Sequence, residues 1–171
     1  MRKHTIGKLL LTASLIAGAL GLTGCHGSRG QSGFTVPEDF DTSRNYEITF
    51  WAKNDTNKTQ TEIYKKAIED FEDLYPNITV NLRLYTDYGK IYNDVITNIA
   101  TDTTPNVCIT YPDHIATYLT GSNVVVPLDT LFTNEKYGLD GSELLFDGPT
   151  QDEIIPKFLK ECEFNGHYYA L

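Results

Sequence analysis

Two kinds of hydrophobic periodicity follow one another along the chain and predict alternating strands and helices. Residues 46–51 are rich in β-branched and aromatic side chains, which predicts a first strand. Apolar and polar residues alternate over 78–84, which predicts a second strand, and the apolar run 107–110 predicts a short buried third strand. The three predicted strands are separated by segments long enough for a helix each.

The segments between the strands have apolar residues at helical spacing. Thr59 and Glu62 have the spacing of a capping box at the start of the first helix. Its apolar stripe comprises Ile63, Ala67, Ile68, Phe71 and Leu74. Asp87 is the expected N-cap of the second helix, whose stripe comprises Ile91, Val95 and Ile99. Pro76 and Pro105 mark the exits of the two helices.

Strand, helix, strand, helix, strand at this spacing predicts an α/β fold with a parallel sheet flanked by helices. If the strand order is second, first, third, the order reverses at the first strand. Further along we expect a short helix over 115–119, a helical turn over 129–132 and a helix over 150–161. Pro156 either kinks that last helix or lies near its start. Residues 166–171 are typical of a strand that follows a turn.

The first 24 residues have the pattern of an export signal. A basic start is followed by the apolar run 9–22, which is too short to be interpreted first as a membrane-spanning helix. That run ends in Leu-Thr-Gly-Cys at 22–25, a tetrad that resembles the lipobox of bacterial lipoproteins. The resemblance implies cleavage before Cys25 and a lipid on its thiol. The alternative is an ordinary secreted protein in which Cys25 is an unused thiol.

Residues 25–45 are polar and glycine- and serine-containing, so we expect a flexible, disordered tether before a partial domain over 46–171. The chain has 14 basic and 23 acidic residues, a net charge of −9. Removal of residues 1–24 takes away three basic residues and no acidic one, which leaves 11 against 23 and a charge of −12. Such an acidic chain has no electrostatic attraction for nucleic acid or anionic lipid, so membrane contact is expected through the lipid anchor only.

The remaining cysteines, Cys108 and Cys162, have no metal-ligand spacing. One disulfide between them is possible, and two buried thiols are the favoured interpretation.

Ligands of doubly wound sheets bind beyond the carboxyl ends of the strands, where the strand order reverses. The candidate ligand-binding residues at that edge are Trp51, Asn54, Asp55, Asp87, Tyr88, Tyr111, Asp113 and His114, with Lys53 and Pro112 between them. Aromatic faces beside carboxylates, an amide and a cation suit a sugar, whose C–H faces stack on rings and whose hydroxyl groups need fixed partners. Neither loop is glycine-rich, so a phosphate site is not expected.

Several of these residues have a second interpretation. Trp51 is equally well a core residue, and a helix cap alone is the favoured interpretation of Asp87. Asp113 and His114 form a possible catalytic pair, but no nucleophile motif accompanies them. We therefore assign no catalytic residue, metal or cofactor.

A family resemblance covers residues 46–171. It is carried by the segments 48–51, 71–78, 104–107, 118–121, 126–129 and 164–171, in this order. The chain is similar to the family 1 extracellular solute-binding proteins of carbohydrate ABC transporters, the group that includes maltose-binding protein. It departs at Asn106, where the family commonly has Asp, and at Asp102, where it often has Gly.

The resemblance implies a periplasmic-binding-protein-like lobe from a protein with two α/β lobes. We expect an N-terminal fragment whose second lobe is largely missing. The implied role is that of a lipid-anchored, non-enzymatic substrate-binding subunit on the extracytoplasmic face of the membrane. Its implied partners are a carbohydrate solute and ABC permease subunits. Two alternatives stay open, a surface hydrolase that uses Asp113 or His114 and a surface adhesin without a small-molecule cleft.

Overall fold

A computed structural model describes residues 34–54 and 58–171. The signal segment 1–24, Cys25 and Asp55 lie outside the described residues. The elements are, in chain order, β1 (Tyr46–Lys53), α1 (Lys58–Leu74), β2 (Ile78–Tyr85), α2 (Tyr88–Ile99), β3 (Val107–Cys108), α3 (Pro112–Tyr118), α4 (Asp129–Phe132), a 3-10 turn (Gln151–Glu153), α5 (Pro156–Glu161), β4 (Glu163–Phe164) and β5 (His167–Tyr168). The predicted alternation of strands and helices up to β3 is confirmed.

Strands β1, β2 and β3 form one parallel sheet in the order β2-β1-β3, which is the order on which the predicted location of the site depends. In this register Tyr46 pairs with Ile78 and Lys53 with Tyr85, while Trp51 pairs with Cys108 on the other side of β1. The chain moves outward from β1 to β2 and then back across β1 to β3. The helices of the two crossovers therefore lie on opposite faces of the sheet.

Alternate side chains of β1 contact the two helical layers, because successive residues of a strand point to opposite faces. Phe50 meets Tyr64 of α1 edge to face, with ring centroids 5.7 Å apart. Trp51 points to the other face. The buried cluster on that face comprises Trp51, Tyr85, Ile91, Val95 and Tyr118. The main core therefore lies between the sheet, α2 and α3.

The predicted apolar stripe of α1 is confirmed for Ile68 and Phe71 and wrong for Ile63 and Leu74. Ile63 is 59% exposed and Leu74 is 39% exposed, whereas Tyr64, Ile68 and Phe71 are half-buried toward the sheet. The helix presents its aromatic side to the strands because rings bury more apolar area than Ile63 and Ala67 can. α1 also begins one residue before Thr59, so Thr59 lies inside the helix and is not its N-cap.

The expected helix over 150–161 is divided in two. Ile154 and Ile155 are extended, with ψ values of 121° and 112°. Proline at 156 disfavours helical geometry in the residue before it and fits the first position of α5. The expectation that Pro156 lies near a helix start is therefore confirmed, and a continuous helix is wrong.

The last residues form a tight hairpin rather than one longer strand. β4 and β5 pair antiparallel with two residues each. Asn165 and Gly166 between them have φ values of 54° and 82°. Two consecutive positive φ values are the geometry of a type I′ turn, for which Asn-Gly is the preferred sequence.

Within 34–54 and 58–171, no helix has both the length and the hydropathy needed to cross a bilayer. Both described cysteines are free thiols. Burial raises the pKa of Cys108 to about 11 and also raises the pKa of Cys162. Neither thiol is therefore ionised at neutral pH.

Candidate functional site

The carboxyl ends of β1 and its neighbours lie side by side and start the loops of the candidate site. The amide of Asn54 donates to the carbonyl of Tyr85 at 2.7 Å, just beyond the last pair of β1 and β2. The amide of Ile109 donates to the carbonyl of Trp51 at 3.0 Å on the β3 side. We call this side of the sheet the carboxyl edge.

Four aromatic rings from α2, from α3 and from the residue before α3 meet at the carboxyl edge, and we call them the ring cluster: Tyr88, Tyr92, Tyr111 and His114. The centroids of Tyr88 and Tyr111 are 4.6 Å apart at an interplanar angle of 47°. His114 lies 5.5 Å from Tyr111 and 4.4 Å from Tyr92. The side chain of Tyr111 remains 47% exposed. A partly solvent-facing aromatic surface results.

Tyr92 was not among the candidates from the sequence. It lies four residues after Tyr88 on α2, so the two side chains share one face of the helix. This spacing is the signal that could have identified it. Its hydroxyl group donates to Thr117 of α3 at 3.4 Å, and its ring stacks 5.9 Å from Tyr118. Tyr92 thus joins the exposed ring cluster to the buried core.

The charged candidates surround this surface in different ways. The ammonium group of Lys53 lies 5.6 Å from the centroid of the Tyr88 ring. Asp87 caps α2, since its Oδ1 accepts from the amide of Lys90 at 2.9 Å, which confirms the helix-cap interpretation. Asp113 is exposed in the first turn of α3. A carboxylate is favoured there by the unpaired amides of the helix start.

Two candidates are directed elsewhere. Trp51 is only 6% exposed and packs against Tyr85 with ring centroids 5.4 Å apart. The guanidinium group of Arg83 lies over both rings, at 4.9 Å and 4.6 Å. Trp51 therefore has the core position that the sequence left as an alternative. The side-chain oxygen of Asn54 accepts from the hydroxyl group of Thr61 on α1 at 2.7 Å. The Asn54 side chain is therefore directed toward α1.

Two features of the described residues bear on chemistry at the carboxyl edge. Among residues 34–54 and 58–171 no group of three His, Cys, Asp or Glu side chains is placed to hold a metal ion. Cys108, the thiol nearest the carboxyl edge in sequence, is held protonated by burial, which is the reverse of what a nucleophilic cysteine requires.

An apolar depression of about 210 Å³ lies away from the carboxyl edge. It is formed by the segments 131–132, 137–140 and 144–149 together with Leu171. Its lining is almost entirely apolar, which does not suit a polyol. The ring cluster therefore remains the candidate site.

Comparison with known proteins identifies a family. Residues 56–156, more than half of the chain, match the family described as bacterial extracellular solute-binding protein. A search among curated proteins found no match.

Solved structures with the same fold include an extracellular solute-binding protein of family 1 from Alicyclobacillus acidocaldarius, at 18% identity and a TM-score of 0.54 over 73% of this chain and 27% of that chain. The GacH receptor of Streptomyces glaucescens, studied unliganded and with acarbose, matches at 20% identity and a TM-score of 0.54 over 74% of this chain and 28% of that chain. A de novo designed cysteine esterase matches at 21% identity with a TM-score of 0.54 over 72% and 26%.

At these identities the likeness shows the fold alone. This chain spans about a quarter of the length of the solved structures that it matches. The parallel sheet flanked by helices corresponds to a periplasmic-binding-protein-like fold, as expected from the sequence. The family match implies an extracytoplasmic location. The chain belongs to the bacterial extracellular solute-binding protein family.

Proposed function

We propose that this chain is the first-lobe part of a lipid-anchored subunit that captures a sugar or oligosaccharide for an ABC importer. The observation that carries the proposal is the ring cluster at the carboxyl edge, where Tyr88 and Tyr111 pack at 4.6 Å and Tyr111 stays half exposed. Family membership supports the solute-binding role. The GacH receptor, whose ligand is acarbose, supports a carbohydrate.

A sugar needs both apolar and polar contacts, and the described residues supply both. The C–H face of a pyranose would lie on the Tyr111 ring, where the hydrophobic gain and the ring's negative face favour it. Sugar hydroxyl groups would donate to the carboxylate of Asp113 and accept from Lys53, with the phenol groups of Tyr88 and Tyr111 serving either role. Asp87 contributes less, because its oxygens already accept from Lys90 and Thr86.

The proposed mechanism is closure of two lobes on the solute. A ligand that contacts this edge and a second lobe together binds the closed form more tightly than the open form, and this difference in affinity drives closure. The closed form would then dock on the permease. Trp51 would support the binding site without contacting the ligand, because it packs β1 against α2 and so positions Lys53.

The ligand-binding prediction is tested by Tyr111→Ala and Asp113→Ala in a version of the protein extended to family length. Each change should weaken sugar binding by about 1 to 3 kcal/mol, through loss of a stacking face or of a charged hydrogen-bond partner. Isothermal titration with a panel of mono- and oligosaccharides measures the effect.

Tyr75→Ala is the matched control for the binding test. Tyr75 also packs against another ring, Phe71 at 4.9 Å, but it lies beyond the end of α1 at the opposite edge of the sheet. Its loss should lower stability without weakening binding. Unchanged affinity in both test variants, with unchanged folding, would move the site away from the ring cluster.

The version of the protein extended to family length also distinguishes solute binding from the two alternative functions, hydrolase and adhesin. A hydrolase that used Asp113 or His114 would convert its substrate during long incubation, whereas a binding protein returns the sugar unchanged. An adhesin without a small-molecule cleft would show no rise in melting temperature with any sugar, because only a ligand that binds the native state raises it.

The lipid anchor is tested by growth with a labelled fatty acid. The tetrad at 22–25 predicts that the full chain becomes labelled and that Cys25→Ala abolishes the label. Cys162→Ala is the control, because Cys162 is a buried thiol of the folded domain. A Cys25→Ala protein that still carries lipid would disprove the lipobox interpretation.

A further inference from the structure

Two ring contacts join α2 to the start of α3 at the carboxyl edge. The outer contact is that of Tyr88 with Tyr111, whose centroids are 4.6 Å apart at an interplanar angle of 47°. The inner contact is that of Tyr92 with His114, whose centroids are 4.4 Å apart at an angle of 36°. Tyr111 and His114 also meet each other edge to face, with centroids 5.5 Å apart. The inner contact is therefore connected to the outer one through the two rings on the α3 side.

The inner contact is anchored in the core. The ring of Tyr92 stacks on Tyr118 with centroids 5.9 Å apart, and its hydroxyl group donates to Thr117 at 3.4 Å. Tyr118 is 3% exposed and belongs to the buried cluster between the sheet, α2 and α3. It follows His114 by four residues, so the two side chains lie on one face of α3. A continuous series of ring contacts thus runs from Tyr118 through Tyr92 and His114 to Tyr111.

The backbone of Tyr111 is fixed, whereas the orientation of its side chain depends on ring contacts. Its carbonyl accepts from the amides of His114 and Ile115 at 3.0 Å and 3.2 Å, and Pro112 follows it at the start of α3. Within residues 34–54 and 58–171 its hydroxyl group makes no hydrogen bond, and the residue is 47% exposed. The ring contacts that restrict its rotation among these residues are those with Tyr88 and His114.

We propose that Tyr92 is a positioning residue of the solute site, which holds the Tyr111 ring in its binding orientation through His114. The inference rests on the proposed function, in which the C–H face of a sugar lies on the Tyr111 ring. A half-exposed side chain that is free to change rotamer loses this freedom when a ligand binds, and the loss weakens binding. Ring contacts that fix the side chain beforehand remove this cost.

Tyr92 is placed to support the stacking ring and not to contact the ligand itself. It is half-buried and lies one helical turn after Tyr88, the first residue of α2. Its hydroxyl group is directed to Thr117, near the end of α3, and its ring packs against the core residue Tyr118. Tyr92 should therefore affect affinity only while the Tyr111 ring is present.

A double-mutant cycle on the version of the protein extended to family length tests this dependence. By isothermal titration with the sugar that binds most tightly, Tyr92→Leu should weaken binding about 3- to 10-fold, as expected when one side chain is immobilised only on binding. In a Tyr111→Ala background the same change should alter affinity less than about 2-fold, the usual error of such a cycle. Tyr92→Phe keeps the ring and should bind within about 2-fold of the unaltered protein.

Tyr64→Leu is the matched control. Tyr64 is also a half-buried tyrosine on a helix, its ring meets Phe50 at 5.7 Å, and its hydroxyl group accepts from Gln60 at 2.8 Å. It lies on the opposite face of the sheet, so its replacement should lower the melting temperature without weakening binding. If Tyr92→Leu does not fold, His114→Leu removes the ring between Tyr92 and Tyr111 and should show the same dependence on Tyr111.

Two results of the cycle would overturn the inference. An equal loss of affinity with and without the Tyr111 ring would make Tyr92 a direct contact of the ligand. A lower melting temperature with unchanged affinity would leave Tyr92 a core residue only. Absence of sugar binding by the unaltered protein would instead contradict the proposed function.

The position of the ring is also tested without a sugar, on the 171-residue chain purified as it accumulates in cells. Relaxation of carbon-13 in labelled tyrosine rings measures how far each ring is ordered, and Tyr111→Phe identifies the Tyr111 signal. The Tyr111 ring should be ordered like a rigid group in the unaltered chain and more mobile in Tyr92→Leu, while Tyr64→Leu leaves it unchanged. Equal order of the Tyr111 ring in the unaltered chain and in Tyr92→Leu would overturn the positioning role, whatever the solute is.

Discussion

Replacement of the single tryptophan decides between the two roles that the sequence allows for it. Trp51 is 6% exposed, and its ring is enclosed by Tyr85, Ile91, Val95 and Tyr118. We expect Trp51→Ala to destabilise the fold and to affect a ligand only through the loss of native protein. A ligand-contact role would instead predict weaker binding at nearly unchanged stability.

The size of the effect follows from burial. Truncation of a buried Trp or Phe to Ala typically costs about 3–5 kcal/mol, from lost transfer free energy and from the cavity left behind. The stacking of Arg83 adds at most about 1 kcal/mol, because its side chain is 55% exposed and such contacts are weak in water. Against a free energy of unfolding of about 5–15 kcal/mol, this is roughly a fifth of the total or more. At about 4 °C per kcal/mol for a domain of this size, the melting temperature should fall by about 12–20 °C.

Circular dichroism melts of the unaltered chain and of Trp51→Ala measure the shift, and Trp51→Phe provides an intermediate that keeps a ring. Because Trp51 is the only tryptophan, its fluorescence in the unaltered chain reports independently whether the indole leaves an apolar environment on unfolding. Ile63→Ala is the control, since Ile63 is 59% exposed and its truncation should cost less than about 0.5 kcal/mol. A Trp51→Ala melt within 2–3 °C of the unaltered chain, or an Ile63→Ala loss as large as that of Trp51→Ala, would refute the assignment of the core.

Two further predictions concern the thiols and the isolated chain. Burial raises the pKa of Cys108 from 9.0 to about 11, so the folded state holds its proton where the unfolded state has lost it. The contribution of Cys108 to stability is therefore complete below pH 9 and is lost as the pH rises from about 9 to about 11; Cys108→Ala should flatten this part of the stability profile. At pH 8, thiol reagents should modify Cys108 only after denaturation, and rapid modification of native protein would contradict its burial. Expressed alone, the chain should be poorly soluble or only marginally stable, because Val107, Phe146, Ile155 and Phe158 are between 45% and 61% exposed. A cooperative melt above about 60 °C, high in the mesophilic range, would contradict this.

The order of elements up to β3 could be predicted because local pattern and tertiary structure agree there. Residues 78–84 alternate strictly, and in the structure the apolar residues of this strand are half-buried while Thr79, Asn81 and Arg83 are exposed. The orientation of α1 could not be predicted in the same way. Ile68 and Phe71 of the predicted stripe do face the sheet, but Ile63 and Tyr64 both have a helical spacing to them, so periodicity alone does not choose between these two neighbours. The choice depends on Phe50, which offers Tyr64 a ring contact across the layer.

The location of the candidate site follows from topology, but the side chains that form it do not. Strand order places 51–54 and 111–114 at one edge whatever their side chains do. Whether a residue there faces solvent depends on its position in the pleat. Trp51 is an odd-numbered residue of β1 and points into the α2 layer. Tyr111 follows the end of β3, so the alternation of a strand does not determine which way its side chain points. Tyr92 cannot be predicted from the positions of the strand ends, because it reaches the carboxyl edge from one turn further along α2.

The ring cluster is a one-sided surface, and this feature connects the fold to the proposed mechanism. Tyr111 is 47% exposed and Asp113 is exposed, so a sugar on these side chains would keep its other face in water. About half of its hydroxyl groups would stay hydrated and make no contact with the protein. They would add nothing to offset the entropy lost on binding. A second surface that closes over the sugar would desolvate the same contacts and strengthen each of them. The weak affinity expected of this chain alone and the domain closure proposed for a longer protein are thus two consequences of the same geometry.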